Sequence, residues 1–151
     1  MTYDPPPRLR QLPSWLTAQV ARIGERLVAD ALAREGVRRP HFTVLTSLDE
    51  QGAASQATLG RRLWIDRSDL HAIVGDLEHD GLISRVRDEG DRRRNVIELT
   101  VKGRRVLRRL DRAIDTAQEQ LVAPLKPRER RELRELLSRV VEGHPGRFGG
   151  R

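Results

Sequence analysis

The chain has 151 residues, enough for one domain, but only 37% are hydrophobic against 34% charged, so a single copy has limited core material and pairing with a second copy would bury more. Twenty-nine Lys and Arg against 22 Asp and Glu leave a net charge of +7, a bias toward a polyanionic partner: nucleic acid or an anionic membrane surface. There is no cysteine, which excludes disulfides, thiolate metal sites and cysteine redox sensing. No apolar run approaches the roughly 20 residues of a membrane span, and the opening MTYDPPPRLRQLP lacks a signal-peptide stretch, so a soluble, intracellular protein is expected.

Pro5, Pro6, Pro7 and Pro13 predict a flexible, extended arm over residues 1–13. A helix pattern follows, with Ser14 as its expected N-cap, Leu16, Val20, Ile23 and Leu27 at helical spacing, and Gly36 at its end. Pro40 suits the first turn of a second helix that carries Phe42, Val44, Leu45 and Leu48 and closes at Gln51-Gly52. Ser55 caps a short third helix. Asp66 caps a fourth, whose stripe of Leu70, Ile73, Val74 and Leu77 faces inward, and Gly81 stops it.

The pattern then changes. Leu82, Ile83 and Val86, then Val96, Ile97 and Leu99, form two strand-like runs around the charged turn DEGDRRRN. Thr100 opens a long helix through Val106, Leu107, Leu110, Ile114 and Leu121, which Pro124 and Pro127 end. A last helix carries Leu133, Leu136, Leu137, Val140 and Val141, and residues 143–151 read as a disordered tail. The expected fold is mainly α with a small β-hairpin (α+β). Short helices followed by a charged hairpin are the parts of a winged helix-turn-helix.

The wing region, Leu82-Ile83-Ser84-Arg85, then Asp88-Glu89-Gly90-Asp91-Arg92-Arg93-Arg94, then Leu99-Thr100-Val101-Lys102-Gly103, resembles that of the MarR family of bacterial regulators. The stretch from Ile65 to Gly81 resembles that family's recognition helix. The likeness extends from about Ser14 to Glu142, and one position departs from it: Gly90 stands where the family's wing carries an arginine. The resemblance implies a homodimer whose first and last helices intertwine, acting as a repressor often relieved by a small anionic or aromatic effector. The expected single domain spans 14–142, with a DNA-binding lobe at 38–100 and dimerisation helices at 14–36 and 101–142.

On a helical wheel the inward stripe of the fourth helix leaves Ser68, Ala72 and Gly75 on the opposite face, with Asp69 and His71 on the flanks. Since a recognition helix reads bases with its N-terminal half, Arg67, Ser68, Asp69, His71, Ala72 and Gly75 are expected at the major groove of double-stranded DNA. Arg67 could fork onto guanine or hold a phosphate. Asp69 either contacts bases or helps the cap, and Gly75 marks either a close approach to DNA or a packing need. Of Arg92, Arg93 and Arg94, one or two suit a minor groove, with Asp91 shaping the wing. Ser55, Gln56, Thr58, Arg62 and Arg85 are expected along the DNA backbone.

The long helix and its neighbours carry more apolar surface than a small winged domain consumes, which assigns Leu16, Val20, Leu110, Ile114, Leu121, Leu133, Leu137 and Val141 to a dimer interface. Trp15, His41 and Trp64 are candidates for an effector pocket, each with plain packing as the alternative. No nucleophile, metal-ligand or phosphate-loop motif points to an enzyme or a cofactor, and the scattered histidines lack metal-ligand spacing. A nonspecific basic nucleic-acid-binding or architectural protein is the alternative function, although 3% aromatic residues leave little for stacking on single strands. Acidic residues interrupt the basic charge of the last two helices and argue against a membrane surface.

Overall fold

The structure, a computed structural model, describes residues 4–87, 90 and 95–144. Residues Leu9–Gln11 form one 3-10 turn, and helix α1 follows from Pro13 to Arg34. The expected extended arm is therefore partly folded: Arg10 pairs with Asp4 and donates to the Pro5 carbonyl at 2.9 Å. Ser14 is not the cap. Leu12 holds that position in extended conformation, and Pro13 takes the first helical position, where a missing N–H leaves nothing unpaired. The Ser14 carbonyl instead accepts the Thr17 hydroxyl at 3.0 Å.

Helices α2 (Arg39–Gln51), α3 (Gln56–Leu63) and α4 (Arg67–His79) come next. Gly81, just past α4, has a φ of +67°, a conformation glycine adopts without a Cβ clash. Strands β1 (Ile83–Arg87) and β2 (Asn95–Leu99) pair antiparallel with Ile83 opposite Leu99 and Val86 opposite Val96. Ala54, between α2 and α3, bonds both ways to Ile97 at 3.1 and 2.8 Å, fastening the hairpin to the three helices. Thr100 closes the unit: its hydroxyl donates to the Gly81 carbonyl at 2.7 Å and accepts the Gly103 N–H at 2.9 Å, capping α5 (Val101–Leu121). Helix α6 runs from Pro127 to Glu142, its first turn held by the Lys126 N–H on Glu129 at 2.7 Å. The α+β class expected from the sequence is the observed one.

A single core joins α1, α2, α3, α4, the hairpin and α5, with Leu45, Leu59, Leu70, Val74, Ile97 and Leu110 among its fully buried side chains. Burying such side chains is the main force holding the helices together. One expected dimer contact is corrected here: Leu110 is fully enclosed within its own chain, because α1 lies along α5 and covers much of its apolar face. Ile114, Leu121 and Leu133 are half-buried, Ile114 against the core and Leu121 beside Gly24 of α1. Leu16, Val20, Leu137 and Val141 remain exposed, and α6 contributes no buried residue.

Candidate nucleic-acid interface

The fourth helix is built from its cap. Asp66 accepts the N–H groups of Ser68 and Asp69 at 2.8 and 3.0 Å and the Ser68 hydroxyl at 2.7 Å. The Asp69 N–H, then the two Ser68 donors, hold the Asp66 carboxyl below the usual carboxylate range. Asp66 alone thus supplies the side-chain cap, and the Asp69 side chain is exposed in the first turn. Leu70, Ile73, Val74 and Leu77 are all buried, while Arg67, Ser68, His71, Ala72 and Gly75 all face outward. A Cβ at Gly75 would meet nothing within 4 Å, so packing does not require glycine there.

Helix α3 leans on α4 to leave an open groove of about 1290 Å³ bordered by Gln56, Gly60, Arg61, Arg67, Ser68 and His71. Ser55 caps α3, accepting the Thr58 N–H at 3.2 Å, and Arg61 donates to the Thr58 hydroxyl at 3.3 Å. Ser55 and Thr58 therefore already hold the helix together, whereas Arg62 is exposed at its end and Gln56 is half-buried. Arg85 is exposed on β1 and donates to Glu78 at 3.1 Å, linking the hairpin to the end of α4. Asp91, Arg92, Arg93 and Arg94 lie outside the described residues.

A cluster that sequence spacing could not reveal joins α2 to α4. His41 is buried, with Nε2 at 3.1 Å from the Asp76 carboxylate, and Arg38 donates to the same oxygen at 2.9 Å. The hydrogen bond from His41, helped by the charges of His41 and Arg38, holds the exposed Asp76 carboxyl low against the opposing effect of partial desolvation. A cavity of about 250 Å³ opens beside the cluster, floored by Val37, Leu77 and Leu82. Of the three pocket candidates only His41 lines it. Trp15 is half-buried on α1, and Trp64 is 74% exposed. The reading of Trp64 as a pocket or core residue is thus corrected: it sits in the turn between α3 and α4 with a φ of 53°, which directs its side chain away from the core while Ile65 packs inward.

A helix pair with an outward polar face, followed by a hairpin pinned beside it, defines a winged helix-turn-helix DNA-binding protein. The sequence profile of the MarR family matches residues 35–94. A protein of Thauera aromatica named for transcriptional regulation of the hcr operon is 32% identical over 106 residues, 70% of this chain and 64% of that protein, so this chain spans less than two-thirds of that relative. The crystal structure of the PcaV transcriptional regulator of Streptomyces coelicolor, in complex with its natural ligand, is 30% identical and superposes with a TM-score of 0.67 over 94% of this chain and 98% of that one. The Mycobacterium tuberculosis MarR family protein Rv2887, solved in complex with DNA, has the same fold at a TM-score of 0.74, with 22% identity over 91% and 98% of the two chains. This chain belongs to the MarR family of DNA-binding transcriptional regulators; its relatives are regulators and not enzymes. Among the described residues no helix is long and apolar enough to cross a membrane.

Proposed function

We propose that the chain is a cytoplasmic, homodimeric, sequence-specific regulator, a repressor whose grip on a pseudo-palindromic operator is relieved by a small-molecule effector. The observation that carries the reading is the division of α4: four aliphatic residues inward, and Arg67, Ser68, His71, Ala72 and Gly75 outward. These exposed residues are assigned to base edges. Arg62, Arg85 and the start of α3 are assigned to phosphates, and Arg92, Arg93 and Arg94 to the minor groove.

Exposed Leu16, Val20 and Ile23 of α1 and Leu136, Leu137, Val140 and Val141 of α6 are the surfaces a second copy would cover. Two-fold pairing then places half-sites about one helical turn, or ~10 bp, apart. Effector response is supported by the ligand-bound PcaV structure and by the cavity next to Arg38, His41 and Asp76, which touches the recognition helix through Asp76.

The test is competition binding with a duplex selected by the protein from a random library. The selected duplex is expected to bind about 10³-fold tighter than random DNA. Arg67→Ala and Ser68→Ala are expected to relax preference at defined positions at a cost of about 1–3 kcal/mol per lost base contact. A wild-type protein with no preference would instead be a nonspecific basic binder.

A further inference from the structure

Trp64 combines two features that a folded chain rarely keeps together. It has left-handed backbone angles, φ 53° and ψ 38°, where a bulky residue is strained and glycine is not. It also leaves the larger part of its indole in water, at 74% exposure. The geometry at this point is demanded by the turn: the N–H groups of Trp64 and Ile65 both bond to the Gly60 carbonyl, ending α3 so that Asp66 can cap α4. Glycine would make the same turn without strain. Folding therefore requires the left-handed angles but not the indole, and an outlier retained against local preference points to a use.

The surroundings indicate the occupant. Arg61 and Arg62 precede the turn and Arg67 follows it, all exposed, and the one acid between them, Asp66, is spent on the cap. An exposed, flat apolar side chain that Arg61, Arg62 and Arg67 flank along the chain, with Arg61 and Arg67 bordering the groove between α3 and α4, is complementary to a sugar–phosphate backbone, with charge on the phosphates and an apolar face on the deoxyribose. We propose that Trp64 packs against the DNA backbone at the edge of the major groove and acts as a sequence-independent anchor for α4. The proposal rests on the DNA-binding reading and adds to it a contact that carries affinity without specificity.

The experiment uses the full chain with two duplexes of equal length, one selected by the wild-type protein and one random. Trp64→Gly and Trp64→Asn both suit left-handed angles and remove the indole. Both variants are expected to melt at or above the wild-type temperature and to bind both duplexes about tenfold more weakly, as loss of an apolar contact to the backbone requires. In a Trp15→Phe protein, whose only indole is Trp64, either duplex should shield the fluorescence from acrylamide. Unchanged affinity in both variants overturns the proposal, and so does a loss confined to the selected duplex. If the wild type binds neither duplex, the DNA-binding reading itself falls; if Arg67→Ala weakens binding while both Trp64 variants do not, only the anchor falls.

Discussion

Asp111 illustrates how a single charge can work against the fold. Partial desolvation of Asp111, which stays exposed on α5, and then the neighbouring charges of Asp115, Asp49 and Glu50 raise its carboxyl above the ordinary value of 3.8. A raised carboxyl means that the charged form is disfavoured in the folded state. The penalty is fully present above the folded value and disappears below the unfolded one. Asp111→Asn is accordingly expected to raise the melting temperature at pH 7, with the gain vanishing as the pH falls below 3.8; thermal melts across that range check it. Asp66 and Asp76 have the opposite sign. Their carboxyls are held low, so they contribute stability that is present at neutral pH and lost as acid protonates them.

At the scale of elements, the hairpin and α5 depend on one close approach. A Cβ on Gly103 would stand 1.9 Å from the Leu82 carbonyl oxygen, backbone that cannot swing aside. Alanine is the better helix former by about 1 kcal/mol, yet Gly103→Ala is expected to destabilise the chain by about 3 kcal/mol through overpacking, read as a lower urea midpoint. The same contact sets where α5 leaves the wing, since Thr100 binds the Gly81 carbonyl from the same turn. Helix α4 is restrained from three sides: Asp66 caps its start, Asp76 ties it to α2, and Glu78 holds Arg85 of β1. Such bracing keeps its outward residues in fixed positions, as the proposed reading of bases by this face requires.

At the scale of the whole molecule, the unsatisfied surface lies on α1 and α6. Leu16, Val20 and Ile23 of α1 and Leu136, Leu137, Val140 and Val141 of α6 are exposed in the single chain, whereas Val106, Leu107 and Leu110 of the α5 stripe are already buried within it. Light scattering is expected to give twice the chain mass of 17.2 kDa at micromolar concentration. Val20→Glu with Leu137→Glu is expected to yield a monomer of unchanged helix content with weaker operator binding, because each half-site would then be held independently.

Local signals in the sequence determined much of this protein. The caps at Ser55, Asp66 and Thr100, the turns at Gly36, Gly52 and Gly81, and the inward stripe and outward face of α4 all follow from side chains acting within a few residues of themselves. The cap at Ser14 failed because Pro13 competes for the same turn with a preference of its own. Tertiary structure alone decided which helix covers which. Leu110 and Leu137 both sit on apolar stripes, but α1 reaches the first and leaves the second bare. It alone brought Arg38 and His41 to Asp76, some 35 residues on, and set Trp64 in water on a left-handed turn. Hydrophobic periodicity shows that a face must be buried, but it is non-directional. The partner that buries it is chosen by the packing of the whole chain.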